Sequence, residues 1–333
     1  MKQIAIIGAG NWGTALSIVA AEAGNPVRLW SRSQEVVTAI DRHRVNSIYL
    51  PDAQIPGRVQ ATPEIGQALI NSEIVIIATP SHATRTVLES MRSNLPSGVI
   101  VVSATKGIEI ESGKRISQLV AEVLGDQFAN RFVCLSGPSF AKEVVEHHPT
   151  AIVAASADSS LSATIQTALS SASLRIYTND DVTGTELGGS VKNVMAIAAG
   201  MVAGLGLGFN SVAALITRGL AEMSRLALAE GGKLETMMGL AGLGDLVLTC
   251  TGNLSRNRFV GHELGKGRTL NEITAGMKEV AEGVRTSRAL KLLANRRAVE
   301  MPITEEVYSV LYEDKAVKDA AMQLMTRPLR GEF

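Results

Sequence analysis

Cysteine is scarce in this sequence and forms no recognisable ligand pattern. Two of the 333 residues are cysteines, Cys134 and Cys250, and neither belongs to a CxxC motif or a cysteine–histidine cluster. A disulfide framework and a zinc site are therefore not expected, and a reducing compartment fits this composition. Since the rest of the chain shows no metal-ligand constellation either, we expect no metal cofactor.

The sequence also lacks an excess of charge of either sign. Lys and Arg together number 32, as do Asp and Glu, so the formal net charge is zero. Because no global field would attract polyanions, we expect no nucleic-acid partner, and any anion site must be built locally.

Long apolar segments are equally rare. The longest, residues 196–209, is short and rich in glycine, so we do not expect a membrane-embedded protein. The first residues, MKQIAIIGAG, predict a strand that runs into glycines; a signal peptide needs a longer apolar stretch and a cleavage site. We therefore expect a cytoplasmic protein.

The first half of the chain alternates β-branched runs with segments of helical period. Strands are predicted at residues 3–7, 27–31, 74–78, 99–103, 132–135, 151–155 and 174–178. Runs such as IVIIA are apolar on both faces, as strands covered by helices on both sides must be. The pattern predicts an α/β class, with a Rossmann-type, doubly wound and mostly parallel sheet over residues 1–182.

The remaining chain has a different residue pattern. After about residue 181 the strand signals stop, and Ala, Leu, Met and Gly recur at helical spacing through residues 186–201, 212–229 and 285–295. We predict an all-helical second domain over residues 183–333.

A glycine-rich motif follows the first predicted strand directly and opens a helix. The motif GAGNWG contributes the candidate cofactor-binding residues Gly8, Gly10, Asn11, Trp12 and Gly13. In this context the glycines permit a tight turn, close approach of a pyrophosphate and packing of helix on strand. The helix N-terminus faces the negative charge, so the motif predicts a dinucleotide site.

The end of the second strand bears on the choice of cofactor. An NAD site of this type usually has an acidic residue there, whereas this sequence has Ser31, Arg32 and Ser33. Arginine beside serine can hold a 2′-phosphate, which favours NADP(H) while leaving NAD(H) possible. A solvated surface arginine is the alternative interpretation of Arg32.

Lys106 follows a later strand of the same predicted sheet. Ligands bind outside the carboxyl ends of the strands in such sheets, so Lys106 is expected to line the cofactor cleft. An ordinary loop lysine is the alternative.

Lys192 is a candidate general base. It lies with Asn193 in the apolar, glycine-rich segment GGSVKNVMAIAAG, where a lysine is costly to bury without partners. Burial favours the neutral amine that can accept a proton, whereas a lysine snorkelling to the surface is the competing interpretation. Asp245, followed by Thr249, can orient an ammonium, or it can cap a helix.

A polar cluster, Ser255, Arg256 and Asn257, is a candidate phosphate site. The planar fork of arginine suits bidentate contact with a phosphate monoester, and its neighbours add neutral groups. A solvated loop is the alternative.

Several segments in fixed order give the chain a family resemblance: GAGNWGTALS, ATKGIE, LSGPSFA, GGSVKN, ITRGLAEM, GLAGLGDLVLTC, SRNRFVG and VAEGVRT. With these segments the sequence resembles the bacterial NAD(P)-dependent sn-glycerol-3-phosphate dehydrogenases over nearly its whole length. The resemblance implies hydride transfer between sn-glycerol 3-phosphate and dihydroxyacetone phosphate, a role in phospholipid synthesis, and a homodimer.

The resemblance also implies a set of site residues. Lys192, Lys106, Asp245 and Asn193 are the catalytic candidates. The substrate-binding candidates are Lys106, Gly137, Ser139, Lys192, Asp245, Thr249, Ser255, Arg256 and Asn257. The glycine motif, Arg32, Ser33 and Lys106 are the cofactor-binding candidates already named. The resemblance adds four more, namely Ala141, Arg256, Val280 and Glu282. In this scheme the helical domain closes over the substrate.

Two alternatives stay open at the level of sequence. One is another dehydrogenase with Rossmann and helical domains, of the 6-phosphogluconate or ketopantoate type. The other is a binding module that senses NADP(H) without catalysis, although sensing needs only the first domain, which speaks against it.

Overall fold

The computed structural model describes residues 1–277, 281–329 and 331–332. Contacts divide these residues into two units. The first comprises Met1–Lys106 and Lys114–Glu186, and the second comprises Gly107–Gly113 and the described residues from Leu187 onward. The segment Gly107–Gly113 therefore belongs structurally to the second unit, although the sequence placed it within the first domain.

The first unit is built on parallel strands. Its strands are β1 (Ile4–Ile7), β2 (Val27–Trp30), β3 (Val45–Asn46), β4 (Leu50–Gln54), β5 (Val59–Thr62), β6 (Ile74–Ile77), β7 (Ile100–Ser103), β8 (Phe132–Ser136), β9 (Thr150–Ala155) and β10 (Leu174–Asn179). Eight form one sheet in the order β10-β9-β8-β7-β6-β1-β2-β5, in which neighbours are parallel except for β8 and β9, which are antiparallel. Strands β3 and β4 form a separate antiparallel pair. The predicted α/β class with a mostly parallel sheet is confirmed.

Helices cover this sheet and close its core. They are α1 (Asn11–Glu22), α2 (Gln34–His43), α3 (Ile65–Leu69), α4 (Ser81–Met91), α5 (Ile116–Leu124), α6 (Asp126–Ala129), α7 (Ala141–Val145) and α8 (Ser159–Leu169). The residues of β1 and β6 are fully buried, as continuous apolar runs in a central parallel sheet must be.

The described part of the second unit contains helices and no strand, as the sequence predicts. They are α9 (Val182–Gly204), α10 (Gly208–Ala229), α11 (Leu234–Met238), a π-helical turn (Leu240–Gly244), α12 (Asp245–Thr251), α13 (Arg256–Gly265), α14 (Leu270–Ala275), α15 (Glu282–Arg297), α16 (Pro302–Tyr312) and α17 (Val317–Met325).

Helix α9 begins in the first unit and forms the core of the second. It is long and apolar enough to cross a membrane by length and composition, but 89% of its most apolar window is buried inside the protein. Residues 196–204 of the apolar run found in the sequence form the end of this core helix, and the rest of the run lies in the following turn and at the start of α10. Helix α13 packs against it so closely that a Cβ on Gly261 would lie 1.9 Å from the carbonyl oxygen of Ile197.

Candidate functional site

The glycine motif forms the turn between β1 and α1. A Cβ on Gly13 would lie 1.8 Å from the carbonyl oxygen of Gly8, so the third glycine lets the helix pack directly on the turn. A Cβ on Gly10 would instead meet no described atom within 4 Å. The second glycine therefore borders open space, as expected where a ligand approaches the backbone.

Two polar atoms at the start of α1 point to the same use. Asn11 Oδ1 and Trp12 Nε1 are buried and have no hydrogen-bond partner among the described residues. Because native proteins rarely leave such groups unsatisfied, each is a candidate contact for a bound molecule. Trp12 Nε1 is a donor and fits an oxygen of a dinucleotide pyrophosphate, whereas Asn11 Oδ1 is an acceptor and fits a hydroxyl of the ligand.

Arg32 and Ser33 follow β2, the neighbour of β1 in the sheet. The Arg32 side chain is exposed, and Ser33 caps helix α2 by accepting a hydrogen bond from the Val36 amide at 3.4 Å. An exposed guanidinium beside a helix N-terminus presents positive charge at this strand end.

Lys106 and Gly137 follow the adjacent strands β7 and β8 and contact each other. Lys106 Nζ donates a hydrogen bond to the Gly137 carbonyl at 2.8 Å, and the Ser139 hydroxyl donates to the same oxygen at 3.1 Å. Gly137 has φ +129°, and a Cβ there would lie 2.9 Å from Ile152 Cα, so only glycine fits. Ala141 is the first residue of α7. The structure thus brings Lys106, Gly137 and Ser139 together.

Lys192 lies in the interior of the second unit, on α9. It is only 6% exposed, which excludes the snorkelling alternative. Its Nζ donates hydrogen bonds to Asp245 Oδ1 and to Thr249 Oγ1, both at 2.7 Å. Asp245 is 1% exposed and makes this ion pair in place of a helix cap. A buried ammonium thus has a buried carboxylate as counter-ion, as desolvation requires.

Local geometry places both partners of Lys192 on one face of α12. Asp245 and Thr249 are four residues apart, and the Thr249 hydroxyl donates to the Asp245 carbonyl at 2.7 Å. The π-helical turn precedes Asp245 directly, and a Cβ on Gly188 of α9 would lie 2.3 Å from the Ala241 carbonyl oxygen within that turn. This close approach lets Lys192, one turn further along α9, reach Asp245.

Asn193 and Asn257 form an amide pair whose orientation is fixed by the backbone. The Gly283 amide donates to Asn257 Oδ1 at 2.9 Å, so the Asn257 NH₂ group faces the other way and donates to Asn193 Oδ1 at 3.0 Å. The NH₂ group of Asn193 lies on the other side of its amide and donates to the Gly189 carbonyl at 3.4 Å. Asn257 therefore orients the Asn193 amide through this hydrogen bond, a contact that sequence analysis did not predict.

Ser255 and Arg256 form the N-terminus of α13. Ser255 Oγ accepts a hydrogen bond from the Arg258 amide at 3.2 Å as the helix cap, and Arg256 is the first helical residue. Partial desolvation lowers the pKa of the Arg256 guanidinium, and the nearby Glu282 carboxylate opposes that shift. Glu282 begins α15, whereas Val280 lies outside the described residues.

Sequence analysis missed Asn46, a fully buried residue whose side chain contacts the glycine motif. No local pattern singles it out, because its role depends on a contact between residues distant in the chain. In the described part of the chain, no group of three or more His, Cys, Asp or Glu residues could hold a metal ion.

Comparison with known proteins agrees with this geometry. Family models described as the NAD-dependent glycerol-3-phosphate dehydrogenase N-terminus and C-terminus match residues 3–162 and 181–322. A glycerol-3-phosphate dehydrogenase [NAD(P)+] of Koribacter versatilis is 54% identical, covering 100% of this chain and 99% of the relative. One from Geobacter sulfurreducens is 48% identical over 99% of each chain.

A solved structure extends the similarity to three dimensions. The crystal structure of a glycerol-3-phosphate dehydrogenase from Coxiella burnetii is similar with a TM-score of 0.94 and 41% identity, covering 98% of this chain and 99% of that one. The likeness thus spans both units. The chain belongs to the NAD-dependent glycerol-3-phosphate dehydrogenase family.

Proposed function

We propose that this protein interconverts sn-glycerol 3-phosphate and dihydroxyacetone phosphate by hydride transfer with NAD(P)(H). The observation that carries the proposal is the buried Lys192–Asp245–Thr249 cluster in a chain of this family. A lysine buried with a counter-ion and a hydroxyl is suited to proton transfer, which oxidation of a secondary alcohol requires.

The first unit holds the cofactor in this proposal. The glycine motif receives the pyrophosphate beside the open side of Gly10, with Trp12 Nε1 as a donor. Asn11 Oδ1 is an acceptor and takes a hydrogen bond from a hydroxyl of the cofactor. Arg32 and Ser33 receive the 2′-phosphate, which favours NADP(H) over NAD(H). Lys106, Ala141, Arg256, Val280 and Glu282 complete the proposed cofactor contacts. When bound, the nicotinamide ring accepts or supplies the hydride at C2 of the substrate.

Lys192 moves the proton. In the oxidative direction its neutral amine takes the proton of the C2 hydroxyl, and in reduction its ammonium returns a proton to the forming alkoxide. Asp245 Oδ1 lies 2.7 Å from Lys192 Nζ, so the carboxylate holds the ammonium in place and balances its charge. The NH₂ group of Asn193 and the ammonium of Lys106 supply further donors to the developing oxyanion, where preorganised dipoles contribute most.

The substrate phosphate is assigned to Arg256 and the start of α13. Arg256 is the first residue of this ten-residue helix, and a guanidinium beside the positive end of a helix suits a phosphate monoester. Ser255, Asn257, Gly137 and Ser139 are the remaining substrate-binding candidates. We also propose a cytoplasmic homodimer that supplies glycerol 3-phosphate for phospholipid synthesis, a proposal that the family resemblance supports.

The test is oxidation of NADPH by the purified protein with dihydroxyacetone phosphate, beside 2-oxo compounds of the ketopantoate type and 6-phosphogluconate with NADP⁺. We expect turnover with dihydroxyacetone phosphate above the other substrates. Turnover with another substrate alone would assign a different dehydrogenase, and cofactor binding without any turnover would indicate a sensor.

A further inference from the structure

Asn46 lies at the end of the short strand β3, and its side chain bonds to the glycine motif. Its Nδ2 donates hydrogen bonds to the Ala9 carbonyl at 2.9 Å and to Thr14 Oγ1 at 2.8 Å, and its Oδ1 accepts one from the Tyr49 amide at 3.3 Å. The residue is completely buried. The Asn46 amide therefore uses both N–H groups and its oxygen within the protein.

These bonds determine the direction of one peptide plane in the motif. In the trans peptide between Ala9 and Gly10, the carbonyl and the N–H point in opposite directions. Because the Ala9 carbonyl points inward to Asn46, the Gly10 N–H points away from it. The open space beside Gly10 is where the pyrophosphate is assigned.

Thr14 reinforces the arrangement from α1. Its hydroxyl accepts a hydrogen bond from Asn46 Nδ2 and donates one to the Ala9 carbonyl at 3.4 Å. Thr14 is itself 0% exposed. The Ala9 carbonyl is thereby held by two buried groups, which fixes the plane before any ligand arrives.

We propose that Asn46 is a positioning residue that preorganises the glycine motif for the cofactor pyrophosphate. The inference rests on the proposed cofactor site, and it assigns to Asn46 no contact with the cofactor itself. Since NADPH and NADH share the pyrophosphate, Asn46 affects the binding of both cofactors equally, whereas Arg32 distinguishes NADPH from NADH.

A second buried asparagine provides a matched control. Asn25 is 3% exposed and donates to the Ala20 and Ala168 carbonyls at 3.1 and 2.8 Å, while accepting from the Lys2 amide at 2.9 Å. It makes as many hydrogen bonds as Asn46 but lies beyond the other end of α1. Leucine has nearly the shape of asparagine and adds no charge, so Asn46→Leu and Asn25→Leu remove comparable hydrogen bonds.

The experiment measures Kd for NADPH and NADH by titration, together with Tm, for the wild type and both variants. We expect Tm to fall in both variants. Asn46→Leu should raise both Kd values about tenfold, which corresponds to about 1.4 kcal/mol, whereas Asn25→Leu should leave them within about twofold. Equal Kd values in the two variants, or a rise for NADPH alone, would overturn the inference.

If Asn46→Leu does not fold, a pair of milder substitutions tests the same inference. Thr14→Val removes the hydroxyl that accepts from Asn46 while keeping the side-chain shape, and Ser17→Ala removes a neighbouring buried hydroxyl that donates to the Thr14 carbonyl at 2.7 Å. Weaker binding in Thr14→Val alone supports the inference, and equal binding contradicts it. A wild type that binds neither nucleotide would overturn the cofactor site itself, and the inference with it.

Discussion

The Arg32 guanidinium is the charged group that, together with Ser33, determines cofactor preference in this account. Arg32→Ala should raise the Michaelis constant for NADPH tenfold or more and leave that for NADH nearly unchanged. The lost charge-assisted bond to the 2′-phosphate is worth about 1.5–3 kcal/mol. Steady-state kinetics with both cofactors measure the effect, and Arg42→Ala, also exposed, serves as the control. Equal changes for both cofactors would remove Arg32 from phosphate recognition.

Arg256 is the residue on which recognition of the substrate phosphate depends. Arg256→Ala should sharply reduce kcat/KM for dihydroxyacetone phosphate and leave the poor activity on dihydroxyacetone unchanged, since remote phosphate binding assists the chemical step. Arg268, exposed and paired with Glu263 at 3.0 Å, is the control position. If Arg256→Ala impairs both substrates by one factor, the arginine serves the cofactor or the fold instead.

Single residues differ in how far the sequence revealed them. The glycine motif and Lys192 could be found because a strand–turn–helix pattern and a lysine in an apolar helix are local signals. Asn46, and the bond from Gly283 that orients Asn257, could not be found in this way. Their partners lie far along the chain, and an asparagine in a polar stretch gives no sign that it will be buried.

At the scale of elements, the approach of α9 to the π-helical turn sets the geometry of the proton-transfer cluster. Gly188→Ala places a methyl group 2.3 Å from the Ala241 carbonyl oxygen, so α9 and the turn must separate. We expect a fall in Tm and a loss of kcat of tenfold or more, with the Kd for NADPH retained. Gly276→Ala is the control, because the nearest described atom to its Cβ is at 3.9 Å. A fully active Gly188→Ala enzyme would contradict this account of the cluster.

Glu222 joins two other elements, α10 and α16. Its carboxylate is 1% exposed and accepts hydrogen bonds from the amides of Ile303 and Thr304 at 2.6 and 3.2 Å, at the start of α16. Burial raises the pKa of this carboxyl from 4.5 to about 7, although these hydrogen bonds oppose the shift. The folded protein therefore holds the proton more tightly than the unfolded chain.

Stability should consequently depend on pH through Glu222. Below about pH 4.5 Glu222 is protonated in both the folded and the unfolded state, so its ionisation does not change the free energy of unfolding. As pH rises from 4.5 toward about 7, only the unfolded state ionises, and the free energy of unfolding falls by roughly 3 kcal/mol. Denaturant unfolding across this range should show wild type losing stability relative to Glu222→Gln. A difference between the two proteins that stays constant with pH would contradict the raised pKa.

The elements themselves were largely predictable. Strands β1, β6 and β7 follow from apolar runs rich in β-branched residues, and α9 from helical spacing of small apolar residues. Strand β5, with the sequence VQAT, is too short and polar to stand out, and pairing with β2 creates it. The π-helical turn was also missed, since it depends on how a glycine-rich segment packs against Gly188.

At the scale of the whole molecule, zero net charge is combined with positive groups at selected points. Exposed Arg32, and Arg256 at the start of α13, supply local charge for the proposed phosphates, while the buried Lys192 is neutralised by Asp245. The proposed chemistry is thus divided between the units. The first supplies the glycine motif and Arg32 for the cofactor, and the second supplies Lys192 for proton transfer and Arg256 for the substrate phosphate.

The most direct test of this account is the single-turnover rate of Lys192→Met with NADPH and dihydroxyacetone phosphate both saturating. We expect the variant to bind NADPH normally and to lose about 10²–10⁴-fold in rate, because its proton-transfer group is gone. Lys266→Met, at an exposed position, should match wild type. If the unpaired Asp245 carboxylate prevents folding, the double variant Lys192→Met/Asp245→Asn replaces the single one. A folded variant that keeps more than about a tenth of the wild-type rate would contradict the assignment of Lys192.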